Sequence, residues 1–256
     1  MAAFALLATG SAFAQFANST GGAKKTSTTA NTSEWSSVYL QWNPSNFVTD
    51  VKGADDQSFT AFTLGFNKAF SIMQNQPLFI EVGGAVQYSF YSEDAMDDDE
   101  WEDDLHYLFG KDYEDYDMPK DKFGMLSLKV PVSLTYNWQA TDNIVIAPYA
   151  GLTVRFNLVG SMWTKFDEDY VDDVKEYRKL YYEEIQKQEE SKNIFDKDDM
   201  GDKDATANRF QLGWQIGVNF KFNNKWYLGA AYGADFSEFS KKTKISQPSI
   251  TAGLLF

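Results

Sequence analysis

Two stretches of the chain, residues 126–138 and 210–222, alternate strictly between apolar and polar side chains. Successive side chains of a β-strand point to opposite faces of the sheet, whereas those of a helix return to one face every three to four residues. The alternation therefore predicts two long strands, each with one apolar and one polar face. The apolar positions are Leu126, Leu128, Val130, Val132, Leu134, Tyr136 and Trp138 in the first stretch, and Phe210, Leu212, Trp214, Ile216, Val218, Phe220 and Phe222 in the second.

Six further segments carry the same period and bring the number of candidate strands to eight. Residues 144–158 and 226–236 alternate almost as regularly, the first with an interruption at Pro148. Shorter runs cover residues 38–42, 62–66, 80–90 and 250–256. An even number of antiparallel strands is the rule for single-chain barrels of bacterial outer membranes.

The predicted connections alternate between short and long. Polar turns at residues 71–77, 139–143 and 223–225 separate longer segments at residues 44–57, 92–122, 160–208 and 237–244. Short periplasmic turns and long extracellular loops are typical of outer-membrane barrels. The sequence thus predicts an all-β fold, an eight-stranded antiparallel up-and-down transmembrane β-barrel with both termini in the periplasm.

A soluble barrel or sandwich is the alternative, since alternation alone does not say which face meets water. The polar face carries few charges and consists mostly of Gly, Ser, Thr, Gln, Asn and Ala, which suit a narrow interior better than a solvated surface. The apolar face ends in aromatic residues at the predicted periplasmic rim, as a membrane barrel does. These residues are Phe66, Phe70, Tyr136, Trp138, Phe222, Trp226 and Phe256.

The N-terminal residues predict export. A short apolar run and the small-x-small pattern Ala12-Phe13-Ala14 predict a signal peptide over residues 1–14, truncated at its basic end. Residues 15–34, rich in Ser and Thr, are expected to form a flexible periplasmic leader, and residues 35–256 the barrel. The chain has no cysteine, which excludes disulfides, thiolate metal sites and cysteine nucleophiles.

The last eight residues, Ser-Ile-Thr-Ala-Gly-Leu-Leu-Phe, resemble the terminal assembly signal of outer-membrane proteins, with Gly253, Leu254 and Phe256 at its characteristic positions. The layout of the chain is similar to small OmpA-type or OmpX-type barrels, particularly the outer-membrane β-barrel proteins of Bacteroidota. The resemblance implies location in the bacterial outer membrane, contact with its lipid and lipopolysaccharide, and recognition by the barrel assembly machinery. It implies little about activity, because members of the group differ widely in function.

Five charged residues fall on the polar, interior-facing positions of the predicted strands. A charge inside a narrow barrel is unfavourable unless it is paired. Two acids among three bases allow pairing, so we expect an ion network that fills the lumen; a gated conduction path is the functional alternative. The residues are Glu81, Lys129, Arg155, Lys221 and Asp235.

The negative charge of the chain is concentrated in two predicted extracellular loops. Residues 93–122 contain fourteen acidic and three basic residues, and residues 162–206 contain fifteen and eight, in a chain of net charge −14. Nucleic acid is therefore excluded as a partner, since its phosphates would be repelled. Carboxylates favour Ca²⁺ or Mg²⁺, so weak binding of these cations is possible, although no cofactor is required. The candidate ligands are Asp97, Asp98, Asp99, Glu102, Asp103 and Asp104.

Part of the second loop predicts a helix. Residues 169–192 lack Gly and Pro, and Tyr170, Val174, Tyr177, Tyr181 and Ile185 recur at helical spacing. Such a stripe either packs on the rim of the barrel or presents a binding face, because tyrosine is enriched at protein interfaces.

The only histidine, His106, lies in the first acidic loop without a nucleophile motif, so no enzyme is predicted. The leading functional interpretation is a surface interaction or envelope-structural protein that acts through its acidic loops on a cation, lipopolysaccharide, a host ligand or another protein. The alternatives are a narrow, gated solute or ion channel and, more remotely, an outer-membrane hydrolase.

Overall fold

A computed structural model describes residues 33–50, 56–73, 76–96, 98–109 and 116–256. The predicted signal peptide, nearly all of the predicted leader, and Asp97 lie outside these described residues. Among the described residues, no helix is both long and apolar enough to cross a membrane.

Ten strands account for most of the described chain. They are β1 (Trp35–Thr49), β2 (Gln57–Ser71), β3 (Leu78–Asp94), β4 (Lys120–Tyr136), β5 (Trp138–Thr141), β6 (Ile144–Lys165), β7 (Lys192–Asn193), β8 (Phe210–Phe222), β9 (Trp226–Asp235) and β10 (Thr243–Leu255). Only Asn137 separates β4 from β5, and both pair with β6, so they act as one strand. The two residues of β7 pair with β6 away from the main path of the sheet.

The remaining strands close into an antiparallel eight-stranded barrel, which confirms the predicted fold. Each strand pairs with its neighbour in the sequence order, and β1 pairs with β10 to complete the ring. Closure leaves the barrel without an exposed strand edge, so its backbone groups hydrogen-bond within the sheet, as a membrane-spanning structure requires.

The side chains are distributed inside out compared with a soluble protein. Polar side chains such as Gln87, Ser127 and Gln211 point inward and are fully buried. Every one of the eight strands exposes at least one large apolar side chain on the outside, at 40–60 % of its surface. Examples, one per strand, are Leu40, Leu64, Val86, Val130, Leu152, Ile216, Leu228 and Ile250. Only a lipid bilayer solvates such a belt favourably, and the soluble alternative is therefore excluded.

Tight turns lie at one end of the barrel. Asp142 and Asn143 connect β5 to β6, and residues 223–225 connect β8 to β9. Asn223 and Asn224 have φ angles of 51° and 53°, the left-handed region that two-residue hairpin turns favour and that Asn tolerates well.

At the opposite end, the strands continue beyond the boundaries predicted from the alternation. The chain after Pro44, predicted as a loop, stays in β1 until Thr49, and β6 extends to Lys165 rather than ending near residue 159. Phe47 and Met162 of these extensions belong to an interior apolar cluster, whereas Val48 is exposed, so the regular alternation of an apolar outside and a polar inside is lost there.

The described parts of the long connections on this side contain four helices: α1 (Asp98–Phe109), α2 (Glu168–Tyr177), α3 (Lys179–Glu189) and α4 (Lys197–Met200). Where the tyrosine spacing predicts one helix, the structure has two, because Arg178 leaves helical geometry at φ −142°. The side chain of Asp167 caps α2 by accepting hydrogen bonds from the backbone N–H groups of Asp169 and Tyr170.

Candidate functional site

The centre of the lumen contains one buried ion pair. Arg155 on β6 donates from Nη2 to both carboxylate oxygens of Asp235 on β9, at 2.7 and 2.9 Å. The two side chains are only 3 % and 6 % exposed. A charge-assisted contact of this kind compensates for part of the cost of removing both ions from water.

The other three lumen charges also face inward, and none of them forms an ion pair within 4 Å among the described residues. Nζ of Lys129 lies 3.4 Å from Oε1 of Gln247. Nζ of Lys221 donates to Oδ1 of Asn137 at 2.9 Å and lies 3.3 Å from the ring centroid of Trp35, a cation–π geometry. Oε1 of Glu81 has no hydrogen-bond partner among the described residues, so the lumen holds one contacting ion pair, two lysines with neutral contacts and one carboxylate with an unpartnered oxygen.

An apolar cluster, which we call the plug, fills the extracellular end of the barrel. Its rings pack closely: Phe47 lies 4.5 Å from Phe59, 5.0 Å from Phe239 and 5.6 Å from Phe123 between ring centroids. Ile194 and Ala207, from the loop between β6 and β8, belong to the same cluster. An apolar constriction of this kind excludes water and ions.

The plug was not predicted from the sequence, although the sequence contains a pattern that indicates it. Phe123 and Met125 have the same parity as the interior residue Ser127, and Phe59 and Ala61 have the same parity as Thr63. If the alternation of these strands is continued toward the extracellular end, the interior positions change from polar to apolar residues.

Above the barrel, the two acidic loops fold together into one small unit, which we call the cap. Its core combines Trp101, Leu105 and Leu108 from α1 with Phe166, Tyr170, Val174 and Ile185 from the α2–α3 region. The three α1 residues follow the i, i+4, i+7 spacing of one helix face, and this shared core is the reason why an otherwise acidic segment forms a helix.

Polar contacts join the same two loops. The hydroxyl of Tyr116 donates to Oδ2 of Asp173 at 2.5 Å, and Nη2 of Arg178 donates to the carbonyl of Leu108 at 3.4 Å. Burial among the rings, together with the nearby Asp104, raises the pKa of Tyr170 to about 12.

The outer face of the cap exposes an aromatic and aliphatic patch. Tyr107 of α1 is 72 % exposed, and Leu180 of α3 is 81 % exposed. Tyr181 places its ring 6.4 Å from that of Tyr107, and a hydrogen bond between the two side chains raises the pKa of Tyr181. Tyr107 and Tyr181 thus join the two loops at the surface, and together with the adjacent, exposed Leu180 they form what we call the cap patch.

Exposed carboxylates border the cap patch. Asp103 and Asp104 precede Tyr107 by one helical turn, and Glu183 and Glu184 follow Leu180 by one turn. The cap therefore presents apolar surface within a negative field.

The candidate cation ligands are dispersed along α1. Asp98, Asp99, Glu102, Asp103 and Asp104 are all exposed on this helix. In the described part of the chain, no three acidic or histidine side chains converge on a point where a metal ion would sit. His106 is on the same helix, exposed at the surface of the cap.

The residues of the predicted assembly signal lie on the strand that closes the barrel. Gly253 leaves room for the ring of Tyr227, which a Cβ at this position would approach to 2.3 Å. Phe256 exchanges two backbone hydrogen bonds with Ser36, at 2.8 and 3.0 Å. Phe256 also packs against Phe66 at 6.4 Å between ring centroids, at the predicted aromatic rim.

The sequence matches no protein-family model. A comparison with curated proteins gives no match. Several solved structures are similar in overall layout. Ail of Yersinia pestis, in complex with the heparin analogue sucrose octasulfate, is 13 % identical with a TM-score of 0.40, over 87 % of this chain and 99 % of Ail. Neisserial surface protein A is 12 % identical with a TM-score of 0.41, over 86 % and 96 %. The outer-membrane enzyme PagL is 14 % identical with a TM-score of 0.40, over 85 % and 97 %.

These similarities are likenesses of overall shape. The location of the protein follows from its own geometry, since a closed antiparallel barrel with a polar interior and an outward apolar belt is the architecture of bacterial outer-membrane proteins. The chain is a small eight-stranded transmembrane β-barrel of the bacterial outer membrane.

Proposed function

We propose that this protein is a non-catalytic surface interaction protein whose cap binds a basic protein or peptide outside the cell. The observation that carries the proposal is the shared core of the cap, in which Trp101 of one loop packs 5.0 Å from Tyr170 of the other between ring centroids. Two long loops that only solvated the surface would not need a common core. This core holds the cap patch in a fixed arrangement, and a rigid binding surface loses less entropy when a partner binds.

The chemistry of the patch favours a basic partner. Tyrosine and leucine provide the apolar contact area at the centre of an interface, and the surrounding carboxylates attract positive charge and accelerate association. The excess of acids over bases in the two loops gives the same sign of field over the whole cap.

Conduction is a weaker proposal. The plug lies across the extracellular end of the lumen, and eight strands enclose an interior that side chains fill. We therefore assign the lumen a structural role and the cap the functional one. Contact of the belt with lipid and lipopolysaccharide, and recognition of the last strand by the barrel assembly machinery, complete the proposed set of partners.

A peptide library displayed on phage and selected against the protein in lipid nanodiscs tests this function. We expect enriched peptides to be rich in Lys and Arg and to contain an apolar residue. Tyr107→Ala with Leu180→Ala should weaken their binding at least tenfold, while barrel folding stays unchanged because both side chains are exposed.

Two charge-matched variants separate specific recognition from general attraction. Glu183→Gln with Glu184→Gln removes two charges beside the patch, and Glu190→Gln with Glu238→Gln removes two exposed charges elsewhere on the extracellular side. The first pair should weaken binding more than the second. Enrichment of non-basic peptides, or equal binding by all variants, would contradict the proposal.

A further inference from the structure

The middle of the lumen contains a small polar cavity of about 30 Å³ beside the buried ion pair. Lys129, Arg155, Asp235 and Gln247 are among the residues that line it. The cavity lies below the plug and is distinct from the cap, so the proposed surface function does not use it. A single water requires about 10–15 Å³ of such volume, so the space accommodates one or two particles of that size.

Several hydrogen-bond donors beside this cavity have no acceptor among the described residues. Arg155, only 2 % exposed, uses Nη2 for Asp235, and its Nε and Nη1 atoms are buried with no partner in the described residues. Nε2 of Gln247, a residue 8 % exposed, is likewise buried and unpartnered, since its Oε1 faces Lys129. Leaving three donors unsatisfied in a buried site costs free energy that an acceptor in the cavity would recover.

The charges at the cavity do not balance. Lys129 and Arg155 are both basic, and Asp235 is the one acidic residue among those lining the cavity. Glu81, a further carboxylate of the lumen, lines an adjoining cavity of about 40 Å³ that shares Lys129 with the first. There, the unpartnered atoms are acceptors, Oε1 of Glu81 and Oδ1 of Asn67. The unpartnered donors thus belong to the first cavity and the unpartnered acceptors to the second, while Lys129 lines both.

We propose that the cavity between Arg155, Lys129 and Gln247 binds one small monovalent anion of the size of chloride. A halide accepts several hydrogen bonds from different directions, as the two free guanidinium nitrogens and the Gln247 amide require. Its charge cancels the surplus of the site, which lowers the cost of keeping Lys129 protonated inside the barrel.

Halide binding is tested on the full chain refolded into detergent in sodium bromide. Crystals should show one strong anomalous bromine peak within contact distance of Arg155 Nε and Nη1 and of Gln247 Nε2. In solution, chloride above its dissociation constant should increase the ratio of folded to unfolded protein about tenfold per tenfold rise in concentration. Sodium gluconate at the same ionic strength, whose anion is too large to enter, should leave the ratio unchanged.

Two lysine variants locate the effect. Lys129→Met removes the surplus charge and should abolish the difference between chloride and gluconate. Lys221→Met removes a buried lysine of the same lumen that contacts Asn137 and Trp35 instead, and should retain that difference. If Lys129→Met fails to fold, Gln247→Met replaces it and should lower the chloride affinity at least tenfold.

Several results would overturn the proposal. These are a water molecule in place of the bromine peak, equal stability of the wild-type protein in chloride and gluconate, or a chloride effect that persists in the Lys129 and Gln247 variants.

Discussion

Among single residues, the charged side chains of the lumen differ in their partners: Arg155 and Asp235 form an ion pair, whereas Lys129 and Lys221 contact neutral groups. The sequence predicts which charges face inward, because strand parity fixes the direction of each side chain, and Arg155 and Asp235 both follow it. Which acid meets which base depends on the closure of the ring, since these two residues are 80 positions apart. The alternation along each strand therefore predicts which charged residues face the lumen. Which of them form an ion pair is known only from the three-dimensional structure.

The first prediction concerns this pair. Arg155→Met should leave Asp235 buried without its counter-ion and destabilise the barrel by about 3–5 kcal/mol, which unfolding in urea measures. Lys241→Ala removes the cation of the exposed pair with Asp204, whose side chains are more than half exposed, and should change stability little. Equal effects of the two substitutions would mean that water reaches Asp235.

At the scale of elements, the loops are more ordered than their composition suggests. The run of carboxylates around α1 is typical of solvated loops, and no helix was predicted there from the sequence. This segment has only a few apolar residues at helical spacing, Trp101, Leu105 and Leu108. They stabilise a helix because a second loop supplies the surface on which they are buried. That surface comes from residues more than fifty positions later, a contact that local periodicity does not predict.

The cap should behave as one cooperative unit. Trp101→Ala removes the largest side chain that α1 contributes to the cap core, at a cost of about 3–5 kcal/mol. Limited proteolysis should then cut both loops, including α2 and α3, while the barrel remains resistant. Leu180→Ala, at a fully exposed position, should leave the protease pattern unchanged. Cleavage confined to α1 in the Trp101 variant would show that the two loops fold independently.

Divalent cations should stabilise the cap by screening. Neighbouring carboxylates on α1 repel one another, because the screening length at physiological ionic strength is about 8 Å. Ca²⁺ or Mg²⁺ at millimolar concentration should therefore bind weakly and slow proteolysis of α1. Replacing Asp97, Asp98, Asp99, Glu102, Asp103 and Asp104 by Asn or Gln should abolish the effect without disturbing the barrel. Identical digestion with and without a chelator would exclude a role for cations.

At the scale of the whole molecule, the chain combines a lipid-facing barrel, a lumen with an apolar plug at one end and a cap outside the membrane. The barrel was predictable because each strand between short turns repeats one pattern, whether at residues 126–138 or 210–222. The upper part was less predictable because there the interior becomes apolar, with Phe47 and Phe123 on positions that are polar further down. Outward alternation ends at that level, although the strands continue.

A closed barrel should show heat-modifiable migration on gels after recovery from outer membranes. Closure leaves no free strand edge at which unfolding begins, so the unheated protein should keep its compact form in detergent. Deleting Phe256 should reduce assembly in cells, because the last residue exchanges two hydrogen bonds with Ser36 across the closing pair of strands. Recovery in the soluble periplasmic fraction, or full assembly of the deletion variant, would contradict these two expectations.

Conductance across planar lipid bilayers decides whether this barrel acts through its lumen or at its surface. Because the plug lies across the lumen, we expect the wild-type protein, inserted in its folded and heat-modifiable form, to show no stable single-channel openings. Phe47→Ala with Phe123→Ala should permit ion leakage, because these substitutions remove two rings of the plug. Reproducible openings of the wild-type protein, equal to those of the plug variant, would contradict the account and make conduction through the lumen the function of this protein.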